Sequence, residues 1–255
     1  MKIILKIGKK LPKFIKKPLS FIYDKWNFKV DKGMVNNLAE YSNLGEKEVI
    51  WLLMSAERLN GDLWHILNPK TKEEIEQFYS TCPFYVFELA FWHMKRYQKQ
   101  FREDVINLAK GNILDFGGGI GDLSIELTKK GFSCDYADVY GVIFEFARWL
   151  FRKQRCGIEM INLSKDNLSK RYDTIFCIDM IEHVIEQKQV LENLVTHLNP
   201  KGRLIITNLN ATVLARHPMH FPMKFDGEKY LGSLGLSKSE RPWLWTKSLE
   251  TNTTK

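Results

Sequence analysis

The residues best placed to do chemistry form one run, Ile113-Leu114-Asp115-Phe116-Gly117-Gly118-Gly119-Ile120-Gly121-Asp122-Leu123. A short apolar strand ending in an acid feeds a glycine-rich turn that opens a helix. Backbone of that kind lets a ligand approach where side chains would clash. The Gly-x-Gly-x-Gly pattern is not the dinucleotide fingerprint, which needs a glycine where Asp122 stands. Nor is it a phosphate-cradling loop, which needs Gly-Lys-Ser/Thr. Asp115, just before the glycines, suits a cationic or hydroxyl-bearing ligand better than a pyrophosphate. The next strand ends at Asp138, 21 residues after Gly117, the spacing at which an acid grips the two hydroxyls of a ribose. Together these features predict a nucleoside-type ligand.

A second cluster lies in Cys177-Ile178-Asp179-Met180-Ile181-Glu182-His183-Val184, at the carboxyl end of a later strand. His183 stands where a general base would stand, and imidazole titrates in the range such a base needs. It reads equally as a residue that caps or packs on the following helix. Asp179, Glu182 and His183, with His217 or His220, offer oxygen and nitrogen ligands for a divalent cation. No metal is assigned.

The elements that must position these residues follow from periodicity. Residues 31–108 read as helical. Thr71 with Glu74 three residues on is a capping box, and Pro83 opens one long run through Phe87, Phe91, Met94, Tyr97, Phe101 and Val105. From residue 112 short apolar strands (112–116, 132–139, 158–163, 173–180 and 203–208) alternate with helical stretches such as 142–154 and 185–198. That alternation predicts an α/β fold, a parallel sheet with helices on both faces. The aromatics of the helical part, among them Trp64, Phe78, Tyr79, Tyr85, Phe87 and Trp92, read more as core than as pocket at helical spacing.

Composition bounds the reading further. The 255 residues are 44% hydrophobic and 27% charged, an ordinary globular balance. The net charge of +8 lies wholly in residues 1–30, which hold nine Lys against Asp24. The rest is neutral in sum, so no basic nucleic-acid groove is expected and nucleic acid is not expected as a partner. On a helical wheel Ile3, Ile4, Ile7, Leu11, Phe14 and Ile15 fall within an arc of about 120° opposite the lysines. That pattern predicts a helix lying on an anionic membrane surface, with Pro12 and Pro18 breaking it. The alternatives are a basic tail, a helix docked on the protein itself or an RNA-contacting arm. Four well-separated Cys argue against a disulfide framework and for a reducing compartment. No apolar run reaches the ~18 residues of a membrane span. The expected location is cytoplasmic, peripheral at the inner face of a membrane.

The stretch from about 110 to 236 resembles the class I S-adenosylmethionine-dependent methyltransferases, in particular those acting on quinones and other small molecules. The glycine loop matches their first motif. Asp138 with Val142-Ile143-Phe144-Glu145-Phe146-Ala147-Arg148 resembles their second strand and helix, and Cys177 to Val184 their fourth-strand motif. Leu198-Asn199-Pro200-Lys201-Gly202-Arg203-Leu204 resembles the turn before their fifth strand, with Lys201 where glycine is more usual. The resemblance implies a Rossmann-like sheet over 109–255, an N-terminal helical cap over 31–108 and S-adenosylmethionine as cofactor. It implies that Asp115, Gly117, Gly119 and Gly121 line the methionine and ribose side, and that Asp138 holds the ribose hydroxyls. Ile161 and Asn162 would flank the adenine, with a core role for Ile161 as the competing reading, and Asp179 would lie near the methionine end. After Leu236 the chain is short for the final antiparallel strands usual in the family, and Trp243-Leu244-Trp245 offers one of them.

The activity so implied is methyl transfer to a small-molecule or lipid-like acceptor, at oxygen rather than nitrogen or carbon, with His183 as base. No Asp/Asn-Pro-Pro-Tyr/Phe sequence and no Pro-Cys nucleophile is present, which disfavours transfer to nucleobases. The rival readings are an RNA or protein methyltransferase that uses the Lys-rich arm, and a non-catalytic S-adenosylmethionine-binding module.

Overall fold

The computed structural model of the chain describes residues 30–210 and 217–249. The basic segment read from residues 1–30 lies outside them but for Val30. Among the described residues five helices come first: α1 (Lys32–Ser42), α2 (Glu46–Leu67), α3 (Lys72–Thr81), α4 (Phe84–His93) and α5 (Arg96–Ile106). The capping box that opens α3 is formed: Glu74 N–H donates to Thr71 Oγ1 over 3.2 Å, and Thr71 N–H donates to Glu74 Oε2 over 3.0 Å.

One long helix was expected after Pro83, and two form. The hydrophobic spacing runs unbroken through the junction, but Lys95 adopts an extended backbone there. Its side chain is buried with the ammonium 4.1 Å from the Trp92 ring centre. A buried cation over an aromatic face is a tertiary preference that periodicity does not register.

Beyond α5 the chain alternates: β1 (Ile113–Phe116), α6 (Asp122–Lys129), β2 (Cys134–Asp138), α7 (Val142–Lys153), β3 (Glu159–Asn162), β4 (Tyr172–Cys177), α8 (Gln187–Thr196) and β5 (Leu198–Ile206). Then come α9 (Gly227–Ser233), β6 (Leu236–Lys238) and β7 (Leu244–Lys247). The seven strands lie in the order β3-β2-β1-β4-β5-β7-β6. The first five are parallel, and β7 runs antiparallel between β5 and β6. The short tail therefore supplies two closing strands, where Trp243-Leu244-Trp245 alone suggested one. β5 begins earlier than expected, at Leu198, and accommodates Lys201 with φ 60°, the conformation for which glycine is the easier residue.

Strand order reverses between β1 and β4, and in open α/β sheets the carboxyl ends at such a switch point form the ligand crevice. α7 buries Ile143, Phe144, Phe146, Ala147, Leu150 and Phe151, each large side chain contributing roughly 1.5–3 kcal/mol. Those residues share one core cluster with Leu53, Phe78, Phe87 and Tyr136, so the N-terminal helices are bound to the sheet through α7. A second cluster packs α8 and α9 against β4 and β5. All four cysteines are free thiols. Among the described residues no helix is long and apolar enough to cross a membrane.

Candidate active site

The crevice at the switch point is a cavity of about 220 Å³, floored by the glycine loop and roofed by the N-terminal helices. Gly117 and Gly119 have φ 69° and 54°, the left-handed region that favours glycine. A Cβ on Gly117 would lie 2.2 Å from Met180 Cγ, and one on Gly118 would lie 2.6 Å from the Tyr136 ring. The loop is therefore pressed between its neighbours from below while its upper side faces the cavity.

Asp138 ties loop and strand together. Its carboxylate accepts from Gly119 N–H over 2.9 Å and from Val139 N–H over 2.8 Å. Burial pushes its carboxyl up to about 6 against those two hydrogen bonds. Asp115 is buried, accepts from Ser124 Oγ over 2.6 Å, and is pushed by burial up to about 7. Asp122, which opens α6, behaves oppositely. Burial raises it, but Arg102 at 2.6 Å and His93 at 2.9 Å outweigh that and hold it well below the usual carboxylate range.

Asp115, Gly117, Gly119, Asp138, Asp179 and His183 all line the cavity. Gly121, Ile161 and Asn162 do not. Gly121 has φ 76° at the start of α6, where a Cβ would lie 2.6 Å from the Phe151 ring. Ile161 packs with the second core cluster. Asn162 Oδ1 accepts from Ser164 N–H over 3.0 Å, and Leu163 supplies the lining at this strand end.

Asp179, with φ 50°, is gripped from both sides. Trp92 Nε1 and Gln98 Nε2 donate to Oδ2 over 3.0 and 3.1 Å. Thr207 Oγ1 and Asn208 Nδ2 donate to Oδ1, each over 2.9 Å. A carboxylate so saturated links the N-terminal helices to the strand ends and shapes the cavity wall.

His183 ends a 3₁₀ turn, Ile181–His183, directly after β4. Its Nδ1 is 2.8 Å from the Tyr79 hydroxyl, which also lies 2.9 Å from the Met219 carbonyl. A phenol has one hydrogen and a carbonyl only accepts, so that hydrogen goes to Met219. His183 Nδ1 must then donate to Tyr79, which leaves Nε2 with the lone pair. Burial, then the His220 and His217 rings, hold His183 well below the ordinary imidazole value, so the neutral ring persists.

Glu182, His183 and His220 bring ligand atoms within 4.8 Å of one another. Glu182 is 2% exposed. Its Oε1 accepts from Asn208, whereas Oε2 has no hydrogen-bond partner among the described residues. Burial and then Asp179 push its carboxyl up to about 8. His217 stands apart from this trio. It stacks on His220 with ring centres 4.9 Å apart and lies beside Glu57 and Glu88.

The roof was not read from sequence residue by residue. Ile75, Tyr79, Tyr85, Leu89, Trp92 and Gln98 all line the cavity, whereas Phe78 and Phe87 belong to the core. No single residue property separates them: Ile75 and Leu89 carry no polar atom yet line the cavity, and Trp64 carries one yet packs in the core.

Residues 91–244 match a family model described as a methyltransferase domain. The chain belongs to that family, as a class I S-adenosylmethionine-dependent methyltransferase. Among curated proteins it is similar to the ubiquinone biosynthesis O-methyltransferase of Rickettsia akari (strain Hartford), 33% identical over 108 residues, 42% of this chain and 43% of the relative. The enzyme of the same name from Rickettsia conorii (strain Malish 7) is 30% identical over 122 residues, 47% of this chain and 42% of the relative. The chain thus spans under half the length of these relatives. Among solved structures it is similar to magnesium protoporphyrin IX methyltransferase from Synechocystis PCC 6803 with bound SAM, at 21% identity and TM-score 0.45, covering 64% of this chain and 81% of that one.

The cofactor of this class is S-adenosylmethionine, and the site suits it. The glycine loop presents bare backbone to the cavity, and two carboxyls raised by burial await hydroxyl donors and a cation. Those carboxyls make a test. A folded-state value near 7 for Asp115, against about 3.9 when unfolded, means the fold binds this proton more tightly. Its contribution to stability is full below about pH 4 and is lost as pH rises through 7. His183 and His220 (the latter pushed down to about 4) act in the opposite direction between pH 4 and 6.5, so whole-protein stability does not isolate the acid. Asp115→Asn does. Relative to wild type without ligand, its melting temperature should gain about 5 °C or more between pH 5 and pH 8. A pH-independent difference in thermal scans would contradict a buried, raised Asp115.

Proposed function

We propose that the chain transfers a methyl group from S-adenosylmethionine to an oxygen of a small or lipid-like, quinone-type acceptor. The observation that carries the reading is the place of His183 on the cavity wall with Nδ1 2.8 Å from the Tyr79 hydroxyl, an arrangement that leaves Nε2 as the atom to take a proton. The aromatic roof supports an acceptor with a ring, and the names of the curated relatives support oxygen as the accepting atom. When bound, the cofactor supplies a sulfonium methyl, and the oxygen–methyl bond forms as the sulfur–methyl bond breaks.

Asp138 would hold the ribose hydroxyls, and the carboxylate of Asp115 would face the cationic amino-acid end. Glycines 117–119 would admit the ligand against backbone. The roof of Tyr79, Tyr85 and Trp92 would fix the acceptor and exclude water. Alignment of this kind can be worth ~7–11 kcal/mol. His183 would take the proton of the accepting hydroxyl at Nε2, adding about 10²–10⁴-fold. A second reading is favoured by the unpartnered Oε2 of Glu182: Glu182, His183 and His220 would hold a divalent cation that polarises the acceptor oxygen.

Residues 1–30 would bring the enzyme to an anionic membrane, where each lysine near the surface contributes ~1 kcal/mol. The test is incubation of the full chain with methyl-labelled S-adenosylmethionine and cell extract separated into membrane and soluble fractions. Label should enter a small, solvent-extractable product of the membrane fraction. The same protein should sediment with anionic vesicles at low ionic strength and be released by salt. Label found in RNA or protein would overturn the acceptor assignment, and failure to sediment would remove the membrane role.

A further inference from the structure

Tyr79 joins three parts of the chain at one hydroxyl. It stands in α3, a helix of the roof, and lines the cavity beside His183. Its ring meets the imidazole edge-on, with centres 5.5 Å apart. Its hydroxyl lies 2.8 Å from His183 Nδ1 and 2.9 Å from the carbonyl of Met219, a residue 1% exposed. A neutral imidazole free in water carries its hydrogen on Nε2 more often than on Nδ1. The hydrogen on Nδ1 at this corner is therefore imposed by a hydrogen-bond partner, and Tyr79 is the partner at that nitrogen.

The imposition requires that the phenol not turn round. A phenol keeps its hydrogen at neutral pH, and this one is the donor to the Met219 carbonyl. Turning it toward His183 would leave a buried carbonyl unpaired, which folded chains avoid. The carbonyl is itself held in place. Phe221 N–H donates to the Glu182 carbonyl over 2.7 Å, and Gln187 Nε2 donates to the Phe221 and Ile181 carbonyls over 3.1 and 3.2 Å. These bonds tie residues 219–221 to the turn that carries His183, so carbonyl, phenol and imidazole keep their order. An orienting group behind a catalytic imidazole is a general device, elsewhere supplied by a carboxylate.

Resting on the reading of His183 as base, we propose that Tyr79 is its positioning residue: by accepting from Nδ1 while donating to Met219, it fixes the tautomer whose Nε2 takes the acceptor's proton. Tyr79 neither gains nor loses a proton. The proton of the acceptor hydroxyl passes to Nε2, and the electron pair it leaves forms the oxygen–methyl bond as the sulfur–methyl bond breaks. The base is thus set by the roof and not by the sheet alone.

The test uses the full chain with its histidine rings labelled with the heavy nitrogen isotope, observed by NMR at about pH 8, where a free imidazole is neutral. The His183 signals are assigned by their absence from His183→Gln. Wild type should show the hydrogen on Nδ1, a result that needs no substitution, and Tyr79→Phe should move it to Nε2. Phenylalanine keeps the ring on the cavity, so cofactor affinity and acceptor KM should stay within about twofold while kcat falls about tenfold or more. Added to His183→Gln, Tyr79→Phe should cost no further kcat, since both changes act through one group. Tyr172→Phe is the control for losing a buried phenol hydroxyl. Its bond to Asp135, 3.0 Å long, lies at the far end of β4, so the variant should melt early with spectrum and kcat unchanged. A wild-type hydrogen on Nε2, an unmoved hydrogen in Tyr79→Phe, a loss confined to KM, or an added loss in the double variant would overturn the assignment. A hydrogen that moves while kcat holds would overturn the catalytic part, and full turnover of His183→Gln would then trace the failure to the base reading and not to Tyr79.

Discussion

Replacing His183 with glutamine should lower methyl transfer by about 10²-fold or more while leaving the affinity for S-adenosylmethionine nearly unchanged. Glutamine is the informative choice because its side-chain amide can still donate to Tyr79, preserving the hydrogen bond that orients this corner. It cannot take up a proton, so only the base is removed. The pH profile adds a second readout. Burial, then His220 and His217, hold His183 well below the ordinary imidazole range, so it loses its proton at lower pH than a free imidazole does. Activity limited by this group should reach its plateau at correspondingly lower pH, not climb through the ordinary imidazole range. Turnover that survives the substitution, with only a change in melting temperature, would return His183 to a packing role. Loss of wild-type activity on chelation, restored by Mg²⁺, would instead favour the cation reading of Glu182, His183 and His220.

The parts of the fold legible in the sequence are those decided locally. Ile113–Phe116, the glycines and Asp122 announce a strand, a tight turn and a helix within a dozen residues, and the structure has them in that order. Asp138 is legible because its partner Gly119 lies one strand–helix unit away. What stayed hidden depends on residues far apart in the chain. The clamp on Asp179 draws donors from Trp92 and Gln98, more than eighty positions upstream, and from Thr207 and Asn208 downstream. No window of sequence contains that arrangement. The break between α4 and α5 likewise turns on a buried Lys95 over Trp92, while the apolar spacing around it reads as one helix. The aromatic roof was ambiguous for a related reason. Tyr85 and Phe87 have the same helical credentials, and only the assembled cavity shows that one lines it and the other packs behind.

Gly119→Val should abolish measurable binding of S-adenosylmethionine, and a matched substitution can show that the loss is local. Gly119 has φ 54°, and a Cβ there would lie 3.3 Å from Leu89 Cδ1, a roof residue of the cavity. Two added methyl groups at that point have only the cavity to enter. The backbone also resists, since a side chain in the left-handed region costs roughly 1–2 kcal/mol, or about 5 °C of melting temperature for a domain of this size. Gly131 is the control. Its φ is 88° and a Cβ would meet nothing within 4 Å, so Gly131→Val carries comparable backbone strain in the turn after α6 without touching the cavity. Both variants should melt a few degrees early, and only Gly119→Val should fail to bind the cofactor by calorimetry. Gly118→Ala should do worse than either, because its Cβ would meet both the Tyr136 ring at 2.6 Å and Asp115 Oδ2 at 2.9 Å, neither of them free to move. If Gly119→Val binds S-adenosylmethionine as wild type does, the glycine loop is not the cofactor's floor. If Gly131→Val also fails to bind, the loss at Gly119 reports backbone strain and not a blocked site.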